Sequence, residues 1–277
     1  VLLVTILVCG LVLFLKLYTL PLSEYTGKVD ADLFVGESDD QPLIVAFGGS
    51  QGGNTWTEDY WAEMRDKFLK QGYAVLSIGY FKTENTPETL DRISLDAIYD
   101  TNKKISNHPK VNGDRIMLLG SSRGGELVLN LASRYNDFDA VVALVPPHMR
   151  LPAGSITANT SAWTFEDQEL PYLSIPYWAI LTSIVGNKQM AWEIIMEEAK
   201  NRPEAAIEVE KINCPVLLLS AKDDEAWPSQ YMCDQIVNRL KVNNFKHYYE
   251  HISFDGGHYV MKNNFDKVFE FVDGHFK

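Results

Sequence analysis

Cysteine is scarce: Cys9, Cys214 and Cys233 are the three in 277 residues. No CxxC occurs and the histidines rarely fall near a cysteine, which argues against a zinc ligand set or a disulfide scaffold. The spacing of Cys214 and Cys233 leaves a single bridge between them open. Basic residues are also few, 25 against 37 acidic, for a net charge of −12. Such a surface repels a polyanion, which argues against nucleic-acid binding. With 18 glycines and 12 prolines, nothing is collagen-like or low-complexity, and no internal repeat is visible. Neither GxxxxGK[ST] nor GxGxxG appears, which argues against a nucleotide-phosphate site. What remains is ordinary globular material, 46% hydrophobic and 22% charged, in a length that suits one large α/β domain or at most two small ones.

One long apolar run is present. Residues 1–15 (VLLVTILVCGLVLFL) carry no charge before Lys16, and the stretch to Leu20 approaches the ~20 residues that cross a bilayer core as a helix. Residues 1–20 are therefore expected to be a transmembrane signal anchor. The alternatives are a cleaved signal peptide, although no small-x-small site precedes Pro21, and a buried core helix, which would ordinarily keep a polar face. Val8 stands where a lipobox would need a small residue before Cys9. Residues 21–41 then read as a short acidic tether with one strand near Asp32–Val35.

From Pro42 onward strand and helix patterns alternate. Leu43–Phe47, Tyr73–Ile78, Ile116–Leu119, Ala140–Val145 and Val216–Ser220 are short, mostly apolar runs of the kind buried in a sheet, and Tyr248–Ile252 reads as a further strand. Helical spacing covers Glu58–Lys70, Ser94–Ser106, Gly124–Arg134, Ser229–Leu240 and Phe265–Phe271. The alternation predicts βαβ units and a mostly parallel central sheet with helices on both faces, the α/β class. Residues 148–212 break the rhythm, with a helix near Met190–Asn201. An excursion of this kind over the strand carboxyl ends reads as a lid or cap; a crossover with no part in binding is the alternative.

The strongest local signal is Gly120-Ser121-Ser122-Arg123-Gly124, which fits G-x-S-x-G between an expected strand and an expected helix, the setting a nucleophile elbow needs. A serine hydroxyl needs a base, and the base an orienting partner. His258, in Asp255-Gly256-Gly257-His258-Tyr259 after the last strand, is placed where a base must stand. His148 could also reach the site. His108, His247, His251 and His275 lie on other loops, strand flanks or the tail. The acid belongs in the loop after Val216–Ser220, where Asp223, Asp224 and Glu225 are adjacent and the pattern alone does not choose. Oxyanion donors are expected from the backbone of Arg123 and from Gly49 or Ser50 in the loop Gly48-Gly49-Ser50-Gln51-Gly52-Gly53, where glycine permits close approach.

These residues resemble the C-terminal catalytic domain of the acyl-CoA thioesterase / bile acid-CoA:amino acid N-acyltransferase family, in the α/β-hydrolase superfamily near the dienelactone hydrolases. The resemblance runs from about Pro42 to the end. It rests on FGGSQGG at 47–53, TPETLDRISLD at 86–96, HPKVNGDRIMLLGSSRGGELVLNLAS at 108–133, SAWTFEDQELPYL at 161–173, AKDDEAWPS at 221–229 and GGHY at 256–259. It implies an α/β-hydrolase fold over 42–277 and selects Asp224, the second of the DD pair, as the acid. Glu126 matches the family too and is expected as a buried structural carboxylate. The family's transferases usually have Cys at the nucleophile position, so Ser122 leans towards hydrolysis.

The expectation is therefore a serine hydrolase that cleaves an ester or thioester of a carboxylic acid through Ser122, His258 and Asp224. No cofactor and no metal is expected. Trp163, Tyr172 and Trp178 are candidates for an acyl pocket, although aromatics are more often core. The anchor implies a single-pass membrane protein whose catalytic domain is extracytoplasmic, or one secreted after cleavage. There an acyl ester or thioester other than acyl-CoA would be the substrate. The competing readings are an acyltransferase to an amine or alcohol, a peptidase of the same superfamily, and a non-catalytic membrane scaffold of the same fold.

Overall fold

The computed structural model describes Gly10, residues 18–155 and residues 159–276. The expected anchor, residues 1–20, lies outside the described residues apart from Gly10 and residues 18–20. Among the described residues no helix is long and apolar enough to cross a membrane.

Seven strands form the central sheet: β1 (Asp30–Phe34), β2 (Gln41–Phe47), β3 (Ala74–Gly79), β5 (Val111–Ser121), β6 (Ala140–Leu144), β9 (Val216–Ala221) and β10 (Tyr249–Phe254). Their spatial order is β1-β3-β2-β5-β6-β9-β10. Every pair is parallel except β1 with β3. The inner strands β2, β3, β6 and β9 read as nearly continuous apolar runs because both faces are covered. Leu43, Val45 and Phe47 of β2 enter one core layer, while Ile44 and Ala46 enter the other. Helices α2 (Leu95–Ser106), α3 (Arg123–Ala132) and α6 (Ser229–Val242) close the first layer with Ile98, Leu127 and Ile236. Helices α1 (Asp59–Lys70) and α7 (Asp266–His275) close the second with Trp61, Phe68, Val268 and Val272.

Within the segment 21–41 the strand expected near Asp32–Val35 is β1, and it joins the central sheet. It pairs with β3 from Asp30 opposite Gly79 to Phe34 opposite Val75, so the sheet begins ahead of Pro42. The strand is short and acidic, which suits an edge, where one side keeps its polar groups in water. Ala31 and Leu33 nevertheless pack on the core. Cys214 and Cys233 are both buried free thiols and do not form the bridge that spacing allowed; burial pushes the Cys214 thiol up to about 12.

The excursion after β6 returns at β9. It contains β7 (Trp163–Phe165) and β8 (Gln168–Glu169), which with β4 (Ile93–Ser94) make a second small sheet. It also contains a helical hairpin, α4 (Tyr177–Ile184) and α5 (Lys188–Lys200). Helix α5 covers the expected Met190–Asn201 helix. Helix α4 is too short to show a period, is apolar except for Thr182 and Ser183, and follows Pro171 and Pro176, so its pattern could not be told from a loop or strand. Ala179 of α4 and Ala191, Ile195 and Ala199 of α5 pack with Met149 and Leu173 into a small core of their own.

Candidate active site

The turn between β5 and α3 holds Ser122 at φ 59°, ψ −120°, a region that L-residues avoid and that costs on the order of 1–3 kcal/mol. Its flanking glycines are required by contact. A Cβ on Gly120 would stand 2.1 Å from the Gly124 carbonyl oxygen, and one on Gly124 would stand 2.3 Å from that of Gly48. The sharp turn lifts Ser122 off the strand end at the carboxyl edge of the sheet.

Two further loops on that edge complete the cluster. After β10, His258 points Nε2 at Ser122 Oγ, 3.0 Å away. After β9, both carboxylate oxygens of Asp224 stand 2.9 Å from His258 Nδ1. Asp224 Oδ1 also accepts the backbone N–H of Ala226 at 2.9 Å. Burial by itself raises the Asp224 pKa, but the bonds from His258, Ser229 and Ala226 together hold it below the ordinary carboxylate value. Glu225 Oε2 accepts the backbone N–H of His258 at 2.9 Å and so ties the two loops together. Trp227 sets its ring edge-on to the imidazole at 5.1 Å and donates its indole N–H to the Val145 carbonyl at 3.0 Å. The motif AKDDEAW had marked these two residues, but their contacts depend on a fold that only the sheet order supplies.

A cleft of about 380 Å³ opens onto Ser122 and His258, with Gly49, Ser50, Trp227 and Tyr259 among its walls. The backbone of Gly49 lies against the serine: a Cβ there would meet Ser122 Cβ at 2.9 Å. Tyr80 donates its hydroxyl to the Gly48 carbonyl at 2.8 Å and steadies this loop. Arg123 begins α3, so its backbone N–H belongs to the first turn, which has no partner inside the helix.

Its side chain turns the other way, into the protein. There it makes a 3.0 Å ion pair with Glu126, which is fully buried. Glu126 Oε1 accepts the Trp163 indole N–H at 2.6 Å and the Leu151 backbone N–H at 3.0 Å. Burial pushes the Glu126 carboxyl pKa up, against the pull of Arg123, Trp163 and Leu151.

The aromatic candidates are not brought to the cleft. Trp163 is core, fully buried on Glu126. Tyr172 is half-buried, and Trp178 is 73% exposed on α4. His148 does not join the serine either; it meets Tyr231 edge-on at 6.2 Å, and burial pushes its imidazole down to about 4. Above pH ~6.5, the ordinary histidine value, neither state carries a proton there. Between 6.5 and 4 the unfolded chain binds one that the folded chain refuses, so stability falls as pH falls through this window. Replacing His148 by phenylalanine is expected to flatten that part of the curve, measured as melting temperature from pH 7 to pH 4. An unchanged slope would refute the assignment.

A second set has the same residue types. Ser220 Oγ lies 2.7 Å from His251 Nε2, and His251 Nδ1 lies 3.1 Å from Asp234. Ser220 is fully buried within β9, so it cannot meet a substrate. Exposure on an elbow separates the two sets; residue types do not. Among the described residues no cluster of His, Cys, Asp and Glu could hold a metal ion.

A doubly wound parallel sheet with a serine on a strained β5–α3 turn, facing a histidine from the loop after the last strand, defines the α/β-hydrolase fold. The chain belongs to the BAAT / acyl-CoA thioester hydrolase C-terminal family, whose model matches residues 100–264. Human acyl-coenzyme A thioesterase 6 is 29% identical over 224 residues, 78% of this chain and 48% of that protein. Mouse mitochondrial acyl-coenzyme A thioesterase 2 is 27% identical over 223 residues, 78% of this chain and 45% of that protein. The chain thus spans about half the length of these curated relatives. Among solved structures, an esterase from Pyrococcus furiosus superposes with a TM-score of 0.58 at 16% identity, covering 90% of this chain and 94% of that one. A puromycin-hydrolysing peptidase of Mycobacterium tuberculosis gives 0.61 at 14% identity, covering 94% of this chain and 41% of that one. At these identities the likeness is one of fold.

Proposed function

We propose that this chain hydrolyses an ester or thioester of a carboxylic acid by way of an acyl-enzyme. The observation that carries the reading is the unbroken hydrogen-bonded line Asp224–His258–Ser122 opening into a cleft. His258 Nε2 takes the Ser122 proton as Oγ attacks the carbonyl carbon. Asp224 fixes the ring and stabilises the imidazolium. The backbone N–H groups of Arg123 and of Gly49 or Ser50 hold the oxyanion, preorganised by the packing of α3 against the Gly48 loop. The imidazolium then gives its proton to the departing alkoxide or thiolate. Water attacks the acyl-enzyme with His258 again as base, and Ser122 recovers its proton. No step asks for a metal or cofactor. Family membership and the thioesterase relatives favour an acyl-CoA thioester as the substrate.

The test is to supply acyl-CoA thioesters and p-nitrophenyl esters with and without an amino acid or alcohol acceptor. Free acid is expected at a rate the acceptor does not change. An amide or new ester that replaces the free acid would convert the reading to an acyltransferase, and a folded protein that turns over neither substrate class would overturn it.

A further inference from the structure

Helix α4 turns an apolar stripe outward. Tyr177, Trp178, Leu181, Ile184 and the adjoining Val185 follow the spacing of one helix face. All five are exposed, Ile184 and Val185 by 74% and 81%, and Ala179 is the one buried residue of the helix. From Pro171 to Asn187 no residue is charged, although the chain as a whole carries a net −12. The same excursion holds the described end of the N-terminal run. The Tyr18 carbonyl accepts the Asn159 side-chain N–H at 2.8 Å, and the Leu20 carbonyl accepts the Arg92 guanidinium at 2.6 Å. Arg92 donates its backbone N–H to the Ser161 carbonyl, and Ser161 bridges to Pro152. Just ahead of α4, the Leu173 N–H bonds to the Arg150 carbonyl. The uncharged residues 1–15 therefore lead into the described chain against the segment that carries α4.

We propose that the outer face of α4 docks on the surface of a zwitterionic lipid bilayer. The inference stands apart from the hydrolase reading, since no residue of α4 lines the Ser122 cleft. The side chains suit that surface. Tyr177 and Trp178 join an apolar ring to a polar tip, the combination that settles at headgroup depth, and Leu181, Ile184 and Val185 favour the acyl boundary below it. A second copy or another protein fits less well. Eight residues make a helix about 12 Å long and ~10 Å across, whose footprint falls far below the ~800 Å² per partner of a stable protein interface. A bilayer sets no such minimum, because each apolar side chain that enters it adds its own transfer free energy. The neutral headgroup follows from the charge. An anionic leaflet repels a chain of net charge −12, and α4 brings no basic residue to offset this. One short apolar face binds a bilayer reversibly, and stable attachment takes a second element. The run 1–15, joined against the same excursion, has the composition for it.

The test mixes the full chain with phosphatidylcholine vesicles, with and without bromine on the acyl chains, and follows tryptophan emission. All six tryptophans lie among the described residues, and Trp178 is the exposed one. The run 1–15 has no tryptophan, so quenching by bromine reports on α4 and not on that run. Emission of the wild type is expected to fall on brominated vesicles, and Trp178→Phe is expected to abolish the fall while the protein still sediments with the lipid. In Ile184→Glu/Val185→Glu the quenching is expected to be lost. The lipid-free melting temperature should not change, since both side chains are exposed. Exchanging half of the lipid for phosphatidylserine is expected to reduce the bound fraction; tighter binding to those anionic vesicles would overturn the neutral surface. Quenching that survives in Ile184→Glu/Val185→Glu, vesicle-bound wild type that bromine leaves unquenched, or a chain that stays free of the vesicles would each overturn the proposal. A lipid-free dimer that shields Trp178 from iodide, and that the double variant dissociates, would give the face to a second copy and overturn it as well.

Discussion

Exchanging Ser122 for alanine is expected to lower kcat by about a million-fold and to abolish labelling by a fluorophosphonate, while the melting temperature hardly moves. The rate estimate is the scale on which serine-hydrolase triads fail when the nucleophile is removed. What remains is binding and the oxyanion donors, which alanine leaves in place. His258→Ala is expected to cost as much, and Asp224→Ala less, about ten-thousand-fold, because the imidazole can still accept a proton without its orienting carboxylate. The losses do not add: the double variant Ser122→Ala/His258→Ala is expected to match either single one, since the two groups act in the same step. Stability separates this from a folding defect. Alanine at φ 59° keeps the backbone strain that serine bears, whereas Ser122→Gly releases it and is expected to raise the melting temperature while equally inactive. A fully active Ser122→Ala, or one that still labels, would remove the serine from the mechanism.

How far the sequence anticipated this arrangement depends on how local each feature is. The Gly120–Gly124 turn was legible because its requirements lie within five residues: a strand before, a helix after, and glycine wherever a Cβ would strike backbone. The buried strands were legible for the same reason, since a run such as Leu43–Phe47 reports its own burial on two faces. The acid was not legible from pattern, because Asp223, Asp224 and Glu225 are equivalent until the loop is folded. The family resemblance chose among them, and in the structure Asp224 faces the imidazole while Glu225 takes the backbone of the same histidine. The role of β1 was hidden by its acidity, which marks a tether and an edge strand alike. Of the hairpin, α5 was legible and α4 was hidden, because its eight residues are apolar except Thr182 and Ser183 and are too few to carry a period. Trp163, Tyr172 and Trp178 were grouped by residue type, and type does not distinguish a core indole bonded to Glu126 from an exposed one on α4.

Glu126 is where the elbow is fastened to the excursion, and removing it is expected to have the largest effect on stability. Its carboxylate meets Arg123 of its own helix, the Leu151 N–H at the start of the excursion and the Trp163 N–H of β7. Arg123 in turn donates to the carbonyl oxygens of Leu151 and Pro152, at 3.3 and 3.1 Å. None of these groups can turn to water: Arg123 is 5% exposed, while Trp163 and Glu126 are fully buried. Glu126→Ala would strand a buried guanidinium and two N–H donors, a loss of about 3–5 kcal/mol. For a chain of this size that is a fall in melting temperature on the order of 10 °C. Glu126→Gln keeps an acceptor for Trp163 and Leu151 and loses only the charge, so it is expected to fall between the two. The double variant Glu126→Gln/Arg123→Met removes both charges and should recover part of the loss, because replacing both members of a buried pair is far cheaper than orphaning one. If the three variants melted together with the wild type, the ion pair would be no more than incidental packing. If the double variant were worse than Glu126→Gln, then the bonds from Arg123 to the 151–152 backbone, and not its charge partner, would be what fastens the excursion to the elbow.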